Sequence, residues 1–549
     1  MAFNPNGTIW LCSVPFDNTY KHQYQFFNKA NRDGILLNDY LRDTLTEYVT
    51  VREPLRGGGA RSKLRAGRNI EEIRAKGINY MIYCNEHHGS RKFFAFITDL
   101  IYVNENMTEI EFETDVYQTW FLDCKVKPSF VVREHSATDR IGDNIIAENF
   151  KCTDFTYVQC PNQLYDETWG YLIGVNTLPE IAGSDATTAF ARGRDHSGIY
   201  QGMYFYYLES PNEINSLLDA IEEDVENAVE FIVAIPKFCV SNAEIMPGGD
   251  NAKIKGYIKS TSSPHSQTIY YPLVDSEMTF EGYSPRNKKM FTHPFFCLYA
   301  SNHCDQSVEY KIEHFEFDPA NKRFGFKKYA DCSPSPSVSY VPLNYAGTEE
   351  EPDFAISVTN FPQCAFNSDS YKLWLAKNSV ANAVNIASGV ASIGAGLVMG
   401  AAGGGVGMAM GVSTVASGAS EIFSTISNMH SASYMPNRLN QGNQRNNLLT
   451  AMKRNDVTFY WQKIKRDIAE AIDSYFTMYG YQTNKLKMPN FNARLKFNYI
   501  QTKGINLIGG VPNDDMAKLK QIFDNGITLW RSDTTIGDYS VKNPCIKEL

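Results

Sequence analysis

The chain has 549 residues, of which 43% are hydrophobic, 13% aromatic and 21% charged, a composition that excludes a mostly disordered polymer, a collagen-like fibre and an ordinary polytopic membrane protein. Lys and Arg number 52 against 61 Asp and Glu, so the formal net charge is −9 and no global positive field draws the protein to nucleic acid or anionic lipid; any such contact must be local. The length suits roughly three or four units of ~100 to 200 residues. The 11 cysteines are odd in number and follow no short repeat, which predicts reduced thiols made in a cytosol. Met1-Ala2-Phe3-Asn4-Pro5 lacks the basic start and apolar stretch of a secretory signal, so export by that route is not expected.

Arg52, Arg56, Arg61, Lys63, Arg65 and Arg68 surround Gly57-Gly58-Gly59 in a basic, glycine-rich loop. It lacks the Gly-Lys-Ser/Thr ending and strand-to-helix context of a phosphate cradle, leaving a solvated or inter-subunit loop against a local contact with DNA. Next come three strands: Ile78 to Cys84 and Phe93 to Val103, rich in Phe, Tyr and Ile, then Thr108 to Val116. In the last, even positions are apolar or Thr, and the odd positions Glu109, Glu111, Glu113 and Asp115 are acidic. Period two places one face in a core and these carboxylates on the other, by default an ordinary solvated face.

A capping-box pattern, Ser210-Pro211-Asn212-Glu213, predicts a helix running toward Val229 with Ile214, Leu217, Leu218, Ile221 and Val225 on one face. Val308-Tyr310-Ile312 and Phe315-Phe317 alternate but change phase near His314, as a bulged or bent strand would. Ile464, Ile468 and Ile472, followed by Tyr475, Phe476 and Tyr479, predict a helix stopped by Gly480. Glu86-His87-His88 and the group His293, Cys297, His303 and Cys304 hold ligand-type residues without paired metal spacing, so no metal is expected. No Gly-x-Ser-x-Gly turn, His-Glu-x-x-His or paired two-Cys motif occurs, and no acid pair stands out, so neither catalytic residues nor a cofactor are assigned.

The feature that sets the chain apart is the stretch Asn378 to Ser420, in which no residue carries a formal charge. Its apolar and small residues include Val380, Val384, Ile386, Val390, Ile393, Gly396, Leu397, Val398, Met399 and Gly400 in a first limb. Gly403, Gly404 and Gly405 form a flexible tip, and Val406, Gly407, Met408, Met410, Gly411, Val412 and Val415 belong to a second limb. A bilayer core ~30 Å thick needs ~20 helical residues, and Val380 to Ala402 supplies 23. Glycines at four-residue steps would let helices approach closely in lipid. Gly, Ala and Ser contribute little transfer free energy, which suits conditional insertion better than permanent residence. A Gly/Ala-rich hairpin packed in protein, a conditionally membrane-active loop and a disordered linker all remain open on composition alone.

Asp115-Val116-Tyr117-Gln118-Thr119-Trp120, Ser129-Phe130-Val131-Val132-Arg133-Glu134-His135 and Asp139-Arg140-Ile141-Gly142-Asp143-Asn144 resemble the N-terminal signature of tail-knob proteins from small short-tailed phages of Gram-positive bacteria. Tyr283-Ser284-Pro285-Arg286-Asn287-Lys288-Lys289-Met290-Phe291-Thr292-His293-Pro294-Phe295 resembles that family's central motif, with Arg286 and His293 where the pattern has Lys and Tyr. Tyr479-Gly480-Tyr481, Pro489-Asn490, Asn498-Tyr499 and Gly526-Ile527-Thr528-Leu529-Trp530 extend the match.

The resemblance implies a mainly β, multidomain subunit of a hexameric distal tail tube, a virion tail-tip protein made in the host cytoplasm and contacting other tail proteins. It further implies one long apolar loop per subunit that plugs the lumen, then helps penetrate the host cell membrane while double-stranded DNA passes without specific binding; in such a tube Glu109, Glu111, Glu113 and Asp115 are a candidate lumen wall and the basic loop a candidate contact with DNA in the channel. On this reading residues 1–150 and 281–370 form tube wall, 151–280 a peripheral insertion, 371–435 the membrane-active loop and 436–549 an α/β completion of the knob. A tail-associated cell-wall-degrading enzyme and a non-viral pore-forming protein are the alternatives.

Overall fold

The computed structural model describes residues 7–45, 62–85, 91–160, 169–175, 194–222, 229–246, 256–261, 265–272, 278–303, 305–316, 323–359, 361–363 and 457–548. The chain divides into two compact units. The first joins three separated stretches, Met1–Phe150, Pro285–Lys289 and Glu470–Leu549; the second holds Lys151–Ser284 and Met290–Ala469.

In the first unit a six-stranded antiparallel sheet runs in the order Leu41–Leu45, Gly7–Cys12, Tyr80–Asn85, Lys92–Asn104, Met107–Thr114, Ser62–Ala66. Its middle is the expected three-strand meander, with Tyr80 opposite Phe96 and Ile110 opposite Leu100. Tyr80, Ile82, Phe94 and Phe96 pack with Phe16 and with Leu36 of the helix Lys29–Asn38. The alternate residues Met81, Ala95, Ile110 and Phe112 pack with Ile9, Leu11 and Ile73. Both faces of the sheet centre are therefore buried, which accounts for the near-continuous apolar run of its central strands.

A second sheet of the same unit takes strands from both ends of the chain: His22–Tyr24, Ile527–Trp530, Phe497–Lys503, Ser129–Glu134, Tyr481–Lys487. The pair His22–Tyr24 and Ile527–Trp530 is parallel, and the other neighbours are antiparallel. Leu519, Ile522 and Phe523 of the helix Asn513–Asn525 pack with Val116 and Tyr117 onto Ile500, Ile527 and Leu529. The helix Arg466–Tyr479 stops where expected: the Gly480 N–H reaches the Phe476 carbonyl at 2.8 Å with φ +64°. A Cβ at Gly480 would lie 2.3 Å from the Glu134 carbonyl oxygen, so both the turn and the close approach require glycine. Ile464, read as the first residue of that helix's apolar stripe, instead ends the strand Thr458–Ile464, and the helix opens two residues later.

In the second unit one sheet runs Val229–Pro236, Trp169–Val175, Tyr204–Leu208, Tyr257–Thr261, Ala243–Met246. The helix Pro211–Glu222 buries Ile214, Leu217 and Leu218 against Ile173, Tyr206 and Ile232. Its capping box forms as written: the Glu213 carboxylate accepts the Glu209 and Ser210 N–H groups at 2.9 and 3.3 Å, and Ser210 Oγ accepts the Glu213 N–H at 3.3 Å. Val229, expected near the far end of this helix, opens a strand; Val225 lies outside the described residues.

A further sheet holds His265–Pro272, Arg323–Ala330 and Val338–Tyr345, the last pairing both Thr348–Glu350 and Ile356–Val358. A four-stranded sheet runs Phe155–Gln159, Thr458–Ile464, Phe296–Ser301, Ser307–Tyr310. Trp461 stacks on Phe296 at 5.4 Å between ring centroids and meets Phe324 edge-on at 5.2 Å. The phase change near His314, expected as a bulge or bend within one strand, is a 3-10 turn, Ile312–His314; it buries Ile312 and lets Phe315 bridge to Tyr345, while Phe317 lies outside the described residues. The architecture is mainly β with some α.

Candidate functional site

The acidic strand Met107–Thr114 buries Ile110 and Phe112 and turns Glu109, Glu111 and Glu113 the other way. Its neighbour Ser62–Ala66 places Lys63 across from Glu111 and Arg65 across from Glu109. Lys63 Nζ lies 3.1 Å from Glu109 and 2.9 Å from Glu111, Arg65 Nε lies 3.3 Å from Glu109, and Lys518 Nζ lies 3.4 Å from Glu113. Lys63 and then Arg65 hold the Glu109 carboxyl below its ordinary value. Glu109 and Glu111 of the acidic strand and Lys63 and Arg65 of the basic stretch, which read separately in the sequence, are thus cross-strand partners, and these four charges cancel.

Asp115 does not belong to that face. The strand ends at Thr114, and Asp115, fully buried, caps the short helix Val116–Trp120 by accepting the Tyr117 and Gln118 N–H groups at 3.0 and 3.1 Å. The Tyr80 hydroxyl adds a bond at 2.9 Å. Burial pushes the Asp115 carboxyl up to about 7, against the pull of these donors. The alternation breaks because a cap needs a short polar side chain turned back onto its own backbone, which the two-residue period cannot anticipate.

In the basic loop, Arg52, Arg56, Arg61 and Gly57 to Gly59 lie outside the described residues. Arg68 binds Asp43 through Nε at 2.8 Å and Nη2 at 3.2 Å, and Lys76 Nζ reaches the same carboxylate at 3.2 Å. The Arg68 bonds come first among the causes that hold Asp43 at about 2. The whole stretch Asn378 to Ser420, with every membrane-loop residue from Val380 to Val415, lies outside the described residues, as do Glu86, His87, His88 and Cys304. His303 Nε2 sits 2.8 Å from Thr458 Oγ1, and Cys297 is buried with its thiol pushed up by desolvation. Among the described residues no three His, Cys, Asp or Glu side chains gather as a metal would need, and no helix is long and apolar enough to cross a membrane.

What sequence reasoning missed is a buried ionic junction in the first unit, where Pro285–Lys289 of the central motif is seated. The Asp473 carboxylate accepts the Arg286 N–H at 2.9 Å, and the Asn287 N–H and Nδ2 at 3.0 and 2.9 Å; Asn287 Nδ2 also reaches Thr477 Oγ1 at 2.9 Å. Lys289 Nζ donates to Glu148 and to the Ile146 carbonyl, both at 2.7 Å. Arg133 pairs with the other Glu148 oxygen, and the Gln482 N–H reaches Glu148 at 2.9 Å. The Glu148 side chain is 1% exposed and that of Lys289 3%. Burial lowers the Lys289 ammonium pKa, with Glu148 opposing it. Removing one partner of such a pair leaves an uncompensated charge in a dry site, costing ~3 to 5 kcal/mol. Next to it His135 accepts the Tyr499 N–H at Nδ1, 2.7 Å away; burial, then the Arg494 charge, pulls its pKa down to about 3. The only sequence signal is that Arg133, His135, Arg286, Asn287 and Lys289 fall within motif blocks; Glu148 carries none.

A family model described as the C-terminal domain of the Bacillus phage phi29 tail knob protein gp9 matches residues 254–544, and one for the caudoviral major tail protein N-terminus matches residues 6–125. The tail knob protein gp9 of Bacillus phage B103 is 25% identical and that of phage phi29 23% identical, each match covering 97% of both chains. The solved structure of the bacteriophage C1 tail knob protein gp12 shares the fold, with a TM-score of 0.65 at 15% identity over 98% of this chain and 100% of that one. These relatives bear the names of structural tail components and not of enzymes. The chain belongs to the phi29 gp9 family of tail knob proteins and is a structural, non-enzymatic component of a virion tail.

Proposed function

We propose that six copies of this chain form the distal tube of a tail, and that residues 378–420 plug its lumen until contact with a host releases them into the cell membrane. The carrying observation is the run of 43 residues without a formal charge in a chain that is otherwise about one-fifth charged, in a tail knob family member. Sister subunits would keep those side chains dry, and lipid would replace the protein contacts on release, so the stored state need be only modestly the more stable. Ile356–Val358 and Thr458–Ile464, the nearest described strands on either side, offer fixed points from which such a loop could leave and return.

Glu109, Glu111 and Glu113 are proposed to face the channel, without Asp115. With Lys63, Arg65 and Lys518 beside them the wall is near neutral, and it would let DNA pass through lack of attraction rather than through repulsion. Contacts with neighbouring tail proteins and synthesis in the host cytoplasm complete the reading. Liposome dye release by the intact chain and by one lacking 378–420 tests the loop: leakage from the intact chain alone supports it, and equal leakage removes the loop from the mechanism. Particle imaging tests the assembly, for which a six-fold ring is expected.

A further inference from the structure

Beside the ionic junction, within the first unit, lies a cavity of about 440 Å3. Its wall includes Arg286 and Lys288 of the central motif, Arg494, and Lys542 from the closing segment Ser540–Cys545. Four cationic side chains thus share a cavity with one carboxylate, Asp139, which is already engaged. Asp139 Oδ1 accepts the Tyr481 hydroxyl at 2.5 Å; Oδ2 accepts the Lys288 N–H at 3.3 Å and lies 3.5 Å from Arg494 Nη2.

The neutral polar groups of the wall are also occupied by the protein itself. Asn287 donates to Asp473 and Thr477, Asn543 accepts the Lys496 N–H at 2.8 Å and donates to the Phe497 carbonyl at 2.8 Å, and Ser540 Oγ donates to Asp538 at 2.5 Å. His135 lies between the Tyr499 N–H and the Thr477 carbonyl and stays neutral. What the wall offers a ligand is therefore positive charge. Arg494 is 7% exposed, and its Nε and Nη1 donate to the Ser136 and Asn543 carbonyls at 3.0 and 3.4 Å while Nη2 faces Asp139, so its guanidinium is held in place before anything binds; Arg286 Nη1 likewise donates to the Tyr539 carbonyl at 3.1 Å, leaving each guanidinium its remaining N–H groups for a ligand. Arg286, Lys288 and Lys542 are exposed, so the cavity can be reached from solvent.

We propose that this cavity binds a phosphate-type oxyanion, free or as a small monoester, between Arg494 at its base and Arg286, Lys288 and Lys542 at its mouth. Guanidinium forks match oxyanion geometry, and lysines add charge with little directional demand. At ~30 Å3 per water the space equals roughly 15 waters, toward the small end of ligand pockets. It admits a phosphate bearing a few carbons but no DNA duplex. The assignment is independent of the membrane reading.

Calorimetric titration of the full chain with inorganic phosphate, at an ionic strength fixed by chloride, tests it. Saturable uptake of one phosphate per chain is expected, weakened about tenfold in the double variant Lys288→Gln/Lys542→Gln, as the loss of charge-assisted bonds implies. It should vanish in Ser540→Glu, which adds a negative charge to the wall, and persist in Lys503→Gln, an exposed lysine of the same unit outside the cavity. All four substituted side chains are exposed, and unchanged melting of the ligand-free variants checks that the fold is kept. Absence of saturable uptake overturns the proposal. So does weakening by Lys503→Gln equal to that of the double variant, or displacement of phosphate by a short DNA duplex.

Discussion

The acidic strand face and the ionic junction are built from the same chemistry, carboxylates between lysines and arginines, yet their cations differ sharply in access to water. Lys63 is 46% exposed at its side chain and Arg65 66%, whereas Lys289 and Glu148 are 3% and 1% exposed. Water screens the first set and competes for its donors, so those pairs set the local charge of a surface and little else. The second set has no water to fall back on, and each partner becomes obligatory once the others are buried. Exposure, rather than the number of ion pairs, decides which charges hold the fold.

Substitution should separate the two regions sharply. Glu148→Ala strands Lys289 and Arg133, and we expect it to lower the unfolding free energy of the first unit by ~3 to 5 kcal/mol, read by denaturant titration with proteolysis of the first-unit segments. The next effect is a pH dependence. His135 titrates near 6.5 when unfolded but near 3 when folded, so its contribution is present above pH 6.5 and is lost as pH falls toward 3. A His135→Gln chain should show a stability slope flatter over that window by up to ~1.4 kcal/mol per pH unit, one proton's worth.

Asp115 has the opposite sign. Its folded value of about 7 exceeds its unfolded value near 3.8, so its contribution is complete below pH 3.8 and is lost as pH rises toward 7. Asp115→Asn keeps the cap and should remove that slope, while Asp115→Ala should cost ~1 kcal/mol through the lost cap. Smallest of all, Lys63→Gln on the exposed face should leave the unfolding midpoint unchanged within error. A large shift there would break the contrast between wet and dry pairs.

Legibility in the sequence followed the range of the interaction. The meander, the capping box at Ser210–Glu213 and the glycine stop at Gly480 were all readable, because each depends on residues within a few positions of one another. The errors arose where a local pattern met a change of element. Ile464 kept the spacing of the next helix while belonging to a strand, and Asp115 kept the alternation of a strand that had already ended. The role of Lys289 was not readable at all, since an isolated lysine in a polar motif looks like a solvated side chain until a glutamate 141 positions away is brought against it.

By itself the sequence determined the β-rich architecture, the family membership and the charge-free stretch, since periodicity, motif order and composition are properties of the chain written out in a line. Only the tertiary structure decided which charges are dry, which cancel, and that residues 285–289 join the two ends of the chain in one unit. The physical reason is that desolvation and Coulomb energy depend on distance in space and on the exclusion of water, and neither is a function of separation along the chain.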